Sequence, residues 1–488
     1  MRIRGFKSNI AANAVGVLIP LIVTFVTVPI YLRYVGDIRY GVILIAWSLL
    51  GYLGFMDFGL SRATNHALAK LQVNTDGKKK GGDRYRIFWS SILVNLLFGA
   101  IGAILAFFVF TGVLGHFIQI PDYLDGEVSR AVPYLALMLP VAILSGVGVG
   151  ACESQERFVT LNVIQGAGFV LGQLVPLAIA VLITNSLDVI LFSMLLVRAV
   201  TAISILIYAI QILHISFRPI FDVDVVKKLL SFGGWVTVTN LISPIMTMFD
   251  QIVIGRILGV AVVPYYSIPM TIVQRTLLVP TIVIRTVFPY FSRVDGAEQA
   301  RAVALLLIRL SALSTFVYVT AIFCGDDFLR WWVGAEMANK GTVVLRFIAF
   351  GAWWNSLAFV VFSALQARAR PRAVALLHSI EVLPYLGLLF LMTIRFGIVG
   401  AAVAWTIRVI FDAGVLLYLY GVQSRALFIV CVSSFFPALA LLFSFLLPMD
   451  FTGSILASLL FSGTNLMTAV ALDKDFRLSV LKAVKRLK

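Results

Sequence analysis

Apolar stretches recur along the whole chain, each closed by a short polar or charged turn. A helix needs about 20 mostly apolar residues to cross a bilayer. Applied along the chain, that length predicts fourteen spans: 9–32, 40–66, 87–112, 132–152, 158–183, 189–213, 230–254, 262–290, 302–324, 341–365, 373–394, 397–420, 426–447 and 453–472. No connecting segment is long enough for a folded soluble domain, so any activity must lie within the helical bundle. The predicted fold class is therefore all-α integral membrane, with about fourteen transmembrane helices. Prolines punctuate some spans unevenly. Pro264, Pro269, Pro280 and Pro289 fall in or beside span eight, and Pro20, Pro29 and Pro244 in spans one and seven. Proline removes a helical hydrogen bond and favours kinks, so these spans are candidates for hinges.

The pattern also repeats. A shift of 223 residues lays "VTFVTVPIYLRYVG" (23–36) on "MTMFDQIVIGRILG" (246–259), so that Arg33 meets Arg256 and Gly36 meets Gly259. Val15, Leu18, Ile19, Ile22 and Thr24 meet identical residues without a gap, and Arg62 meets Arg285. Gln155-Glu156-Arg157 and Gln366-Ala367-Arg368 close the fourth and tenth spans at a slightly different offset. A six-span repeat is even, so both copies point the same way, related by an axis along the membrane normal. The expected organisation is an N-lobe over 1–213, a linker over 214–229 and a C-lobe over 230–420. Two added spans occupy 421–472, followed by a basic tail over 473–488.

Composition agrees with the pattern. The 488 residues are 60% hydrophobic and 13% charged, where soluble domains carry about 25% charged residues. Charge then sets orientation. If turns are assigned alternately to two faces, the face holding the N-terminus carries 25 Lys and Arg, the opposite face 7, and the spans the remaining 7. Positive charge stays in the cytoplasm, which places both termini there. The net charge of +16 is thus mostly a topogenic signal and gives no reason to expect nucleic acid as a partner. The opening "MRIRGFK" precedes a full span with no small-residue cleavage site, so the first helix is expected to be retained. Cys152, Cys324 and Cys431 lie far apart, with no metal-ligand spacing, and read as packing residues. Gly146-x-x-x-Gly150 fits close helix packing better than a nucleotide loop. Asp222-x-Asp224 imitates a glycosyltransferase metal motif, but stands in a short connector and reads as chance.

"LRYVGDIRYGVILIAW" followed by "LGFMDFGLSRATNHALAK" resembles the opening of polysaccharide exporters of the multidrug/oligosaccharidyl-lipid/polysaccharide (MOP) superfamily. The resemblance rests on Gly36, Tyr40-Gly41 and Asp57-Phe58-Gly59-Leu60. "SFGGWVTVTNLISPIMTMFDQIVIGRILG" and "SALQARARPR" are similar to the family's second half, while Pro264 stands where the second-half turn usually has glycine. The resemblance implies a flippase, not an enzyme. It would move a polyprenyl-diphosphate-linked oligosaccharide or polysaccharide precursor outward by alternating access, with lipid II flippases as fourteen-helix relatives. It implies a lipid-linked glycan as substrate, membrane lipid around it, and polysaccharide polymerase or glycosyltransferase partners. No cofactor is implied beyond an ion gradient or membrane potential. A MATE-like ion-coupled drug or cation antiporter of the same superfamily is the alternative.

Charges at membrane depth weigh these readings. The spans hold Arg62, Arg198, Arg275, Arg285, Arg309, Arg346 and Arg408 but only four acids: Asp57, Asp250, Glu381 and Asp412. A drug-cation antiporter favours the reverse balance, whereas unpaired arginines suit a diphosphate and an anionic glycan. Arg198, Arg275 and Arg408 fall near mid-bilayer. Arg62, Arg285, Arg309 and Arg346 lie nearer the interfaces, where arginine snorkels. Arg408 has Asp412 four residues on, the spacing of a helical ion pair. Arg275 has no acid within a turn and is the leading substrate-binding candidate, with Arg198, Arg285, Arg62 and Arg408 behind it. Asp57, Asp250, Glu381, His378 and Asp412 are the candidates for ion coupling, with a structural capping role expected for Asp57.

Overall fold

The computed structural model describes residues 3–73, 80–231, 245–291, 293–294, 296–368, 371–474 and 476–478. These residues form helices α1 (Ile3–Val35), α2 (Asp37–Leu53), α3 (Leu60–Val73), α4 (Lys80–Gly112), α5 (Asp125–Ser154), α6 (Phe158–Leu182) and α7 (Leu187–Leu213). A short α8 (223–231) follows. Then come α9 (Ile245–Leu258), α10 (Val263–Thr276), α11 (Leu278–Phe291), α12 (Gly296–Trp332), α13 (Ala335–Ala367), α14 (Pro371–Tyr420), α15 (Ser424–Leu446) and α16 (Phe451–Leu472). No strand occurs among the described residues. Pro244 with the rest of 232–244, the lysines of 74–79 and most of the basic tail lie outside them, as do the side chains of Arg285 and Pro289.

Eleven of the helical segments are long and apolar enough to cross a membrane. One of them, Leu376–Tyr420, has 45 residues, far more than the roughly 20 one crossing needs. It reverses at Gly397 (φ 62°, ψ −145°), where positive φ is cheap only for glycine. The reversal is tight enough that a Cβ on Gly400 would collide with the Met392 carbonyl. Counted as two crossings, and with α1 and α9 added, the segments make up the fourteen expected spans.

The chain forms two compact units, residues 1–263 and 264–488. The sequence reading placed the lobe boundary at 229/230, and contacts instead group α9 with the first seven helices because α9 packs on α2. Ser48 Oγ donates to Gln251 Oε1 at 2.6 Å, and the Tyr52 and Phe249 rings meet edge-on. Gln119 joins both sides through its backbone: its N–H donates to the Gly255 carbonyl, and its carbonyl accepts from Val260 N–H. Gly41 must be glycine here, since a Cβ would strike the Val260 carbonyl. The repeat is visible in the backbone itself. Gly36 has φ 82° and ψ 161°, and Gly259 has φ 88° and ψ 158°. Pro264 lies in the first turn of α10, where a missing N–H costs nothing.

Within the first unit α5 is the hub, packed by α3, α4 and α7. Apolar burial drives helix association weakly in lipid, so close approach and polar contacts carry more of it. Gly146 and Gly150 on α5 face Ser61 so closely that a Cβ at either would collide with it. That is the close packing the glycine spacing suggested. Arg39 forms a two-pronged bond to Glu127 at 2.8 and 2.6 Å, and Glu127 also accepts from Leu187 N–H. Asp222 caps α8 by accepting from Asp224 and Val225 N–H, a helix-start role rather than a metal-binding one. In the second unit α12 packs on α13, α15 and α16, and α13 packs on α11 and α14. All three cysteines are free; Cys152 is buried, Cys324 half-buried and Cys431 exposed.

Candidate functional site

Spans two (40–66) and eight (262–290) are each interrupted, and the break in span eight falls beside Pro280, one of the prolines expected to kink it. In span two, α2 stops at Leu53, a 3-10 turn covers Gly54–Asp57, and Phe58 (φ 47°) and Gly59 (φ 67°) turn left-handed before α3 starts. A new helix start leaves backbone N–H groups without partners. Asp57 supplies one acceptor: it takes Ser61 Oγ–H at 2.8 Å and Ser61 N–H at 3.4 Å. Asp57 therefore caps the second half of the span.

Beside this break, α2, α5 and α7 enclose a cavity of about 360 Å³, lined by Trp47, Asp57 and Ser61 with Leu139, Ile143 and Arg198. Arg198 sits mid-way along α7, its guanidinium 4.1 Å from the Trp47 ring centroid. It makes no hydrogen bond or ion pair with any described residue. A positive charge at membrane depth is expensive unless something neutralises it.

Span eight breaks at Leu277. The Leu277 N–H tightens to the Gln274 carbonyl at 3.2 Å, and Thr281 N–H reaches back to Leu277. Between them Pro280 offers no N–H to the Thr276 carbonyl, which interrupts the ladder. Thr276 Oγ1 donates to the Val273 carbonyl and lies 3.0 Å from the Tyr318 hydroxyl, itself 3.1 Å from Ser356. This polar chain pins the broken end onto α12 and α13. Arg275 occupies the last turn of α10, where the helix dipole favours a cation. Its side chain is exposed and has no hydrogen bond or ion pair with the described residues.

The third group lies where α14 doubles back. His378 and Glu381 from its first half meet Asp412 from its second, with potential ligand atoms all within 4.8 Å. His378 Nε2 is 3.4 Å from Asp412 Oδ1. Neither carboxylate oxygen of Glu381 has a hydrogen-bond partner among the described residues, although the residue is buried. The helical pairing expected of Arg408 with Asp412 is not formed. Arg408 lies over the Tyr385 ring, 5.5 Å from its centroid, and His378 takes the place beside Asp412. Two buried carboxylates this close need a compensating positive charge: a protonated imidazole, a proton or a small cation.

The remaining candidates are dispersed. Arg62 and Arg309 are exposed. Arg346 donates to the Ile322 carbonyl and lies over Phe445, a packing role. Asp250 is buried and has a partner. Trp47, Tyr318 and Ser356 are additions that sequence spacing could not supply, because each acts through a distant helix; Ser61 is a further addition, bonded to Asp57 four residues before it.

The sequence family described as polysaccharide biosynthesis protein matches residues 6–295, more than half of the chain. The chain belongs to that family. The chain is 29% identical over 413 residues to a Shigella flexneri protein provisionally named an O-antigen transporter, covering 84% of this chain and 97% of the other. It is 23% identical over 396 residues to a Haloferax volcanii protein provisionally named a flippase of low-salt glycan biosynthesis, covering 78% and 76%. In fold it is similar to the inward closed conformation of the lipid II flippase MurJ, with TM-score 0.74, 14% identity and coverage of 96% and 99%. An inward-facing multidrug resistance MATE transporter of the MOP superfamily gives TM-score 0.62, 13% identity and coverage of 84% and 97%. The resemblance to polysaccharide exporters seen in the sequence is met by the family match, and the fold is similar to those of the flippase and the MATE transporter.

Proposed function

We propose that this protein is a flippase that carries a polyprenyl-diphosphate-linked glycan from the inner to the outer leaflet of a bacterial cytoplasmic membrane. It acts as a transporter, not a catalyst. The observation that carries the mechanism is Arg275: an exposed, unpaired guanidinium at mid-span, on a helix that breaks one residue after Thr276. Half-helices at mid-membrane are a recurrent way for transporters to present binding groups. Arg275 grips the diphosphate, the prenyl tail stays in lipid beside α15 and α16, and the sugar follows the headgroup. Arg285, Arg62 and Arg408 are weaker candidates for contacting the substrate. The names of the two protein relatives, the Shigella transporter and the Haloferax flippase, support the substrate class. The charge bias of the turns supports cytoplasmic termini.

The His378–Glu381–Asp412 group is the proposed coupling site, where an entering proton or small cation supplies the missing positive charge and resets the carrier. Asp57 and Asp250 are engaged in their own contacts and are weaker candidates for that role. The drug-antiporter reading rests on a shared fold alone and runs against the arginine excess. Deleting the gene tests the proposal: a lipid-linked glycan should accumulate on the cytoplasmic leaflet and return to normal on complementation. An unchanged lipid-linked glycan pool in the deletion strain would contradict it.

A further inference from the structure

We propose that the cavity between α2, α5 and α7 is a subsite for one acidic sugar residue of the transported glycan, with Arg198 holding the sugar carboxylate. This rests on the flippase reading and adds to it a preference for glycans that carry a uronate-type residue. At about 360 Å³ the cavity is at the small end of ligand pockets, which run from about 300 to 1,000 Å³. That leaves room for a sugar residue and not for an oligosaccharide.

The charge arrangement selects the ligand. Arg198 has no hydrogen-bond or ion-pair partner among the described residues, so its N–H donors are available to a ligand. Trp47 covers one face of the guanidinium, which leaves the N–H edges, the geometry that takes a carboxylate in two-pronged fashion. Asp57 lines the same cavity. Its oxygens, already accepting from Ser61, have lone pairs left for sugar hydroxyls. The negative charge of Asp57 also opposes a ligand bearing two or more charges. A diphosphate, the other source of oxyanion chemistry in this substrate, is therefore the poorer fit. Leu139 and Ile143 supply apolar wall for the C–H face of a pyranose, and the low polarity strengthens the ion pair.

The cavity is built and not incidental. Its floor is the Asp57–Ser61 cap, and Ser61 is held by Gly146 and Gly150 of α5, neither of which has room for a Cβ. A purely structural arginine would have spent its donors on carbonyls, as Arg346 does on Ile322. Arg198 has spent none.

The test uses the full-length protein in lipid nanodiscs, with sodium glucuronate, glucose and pyrophosphate as separate probes of calorimetric binding. Glucuronate should bind at least about 10-fold more tightly than either of the others, and Arg198→Gln should remove that preference. Arg198→Lys should retain part of it, and Trp47→Phe should weaken it while leaving the melting temperature unchanged. Pyrophosphate binding tightest would overturn the assignment in favour of a diphosphate site. Equal binding of glucose and glucuronate, or glucuronate binding unaffected in Arg198→Gln, would overturn it outright. A wild-type protein that binds glucuronate through Arg198 but restores no glycan export to a deletion strain would keep the subsite and remove the flippase reading. One that restores export without preferring glucuronate would keep the flippase and remove the subsite.

Discussion

Span two breaks at Gly54 and span eight at Leu277, positions separated by the same 223-residue offset that relates Gly36 to Gly259. The two breaks share a place in the repeat but not their chemistry. In span two, a left-handed Phe58–Gly59 pair makes the break, Asp57 satisfies the new helix start, and two glycines of α5 clamp Ser61. The Asp57 carboxylate and the Ser61 hydroxyl at that break satisfy each other. In span eight a proline makes the break, a threonine ties it to Tyr318, and the arginine beside it is left exposed and unpaired. Arg275 corresponds to Tyr52, whose ring packs on Phe249. One copy of the element is an anchor, and the other has exchanged a packing aromatic for an unpaired charge.

The largest effect should come from attacking the anchor. Gly150→Leu forces a side chain into the Ser61 backbone and should destabilise the protein by about 3 kcal/mol or more, read as a lowered melting temperature of the purified protein. Leu at Gly387, which has open space around it, is the control and should change little. A tolerated Gly150→Leu would show that packing does not hold the first break. Next, Arg275→Ala should reduce glycan export by at least about 30-fold, the loss expected when a charge pair to substrate is truncated. Its melting temperature should stay close to wild type, because that side chain has no hydrogen bond or ion pair with the described residues. Pro280→Ala lets the helical ladder close and should slow export by about 10-fold, equivalent to about 1.4 kcal/mol on the barrier. Unchanged transport in Pro280→Ala and Pro269→Ala would remove the hinge role. The smallest pair sharpens the contrast: Asp57→Asn and Thr276→Val should each cost about 1 kcal/mol, the worth of one hydrogen bond. Asp57→Asn should act on stability and, through the cavity it lines, on the preference for singly over multiply charged ligands, and Thr276→Val on stability and transport.

Much of the fold was legible because bilayer thickness forces a length on every span, and turns must be polar. Fourteen spans, the Gly36–Gly259 correspondence and the close packing at Gly146 and Gly150 all followed from local pattern. The break in span two did not. The residues of span two remain apolar enough through Gly54–Gly59 to read as one crossing, and left-handed geometry at Phe58 leaves no trace in hydropathy. In span eight Pro280 marked a kink, but Leu277 looks like any leucine. Arg275 could be singled out because its isolation from acids is local. His378 beside Asp412 could not, because α14 reverses at Gly397 and brings together residues 34 positions apart. Arg408 was assigned the nearer partner for the same reason: helical spacing shows neighbours along one helix, not across a hairpin. Trp47 stacking on Arg198 is likewise a contact between two spans that no spacing rule connects.

The most direct measurement is flipping of lipid-linked glycan by purified protein in proteoliposomes, scored by the fraction of glycan that becomes accessible to an externally added glycosidase. Wild type, Arg275→Ala, Arg275→Lys and Arg62→Ala would be compared side by side. The account predicts flipping by wild type, near-complete loss in Arg275→Ala, partial recovery in Arg275→Lys and a minor change in Arg62→Ala. Wild-type rates in Arg275→Ala would contradict it.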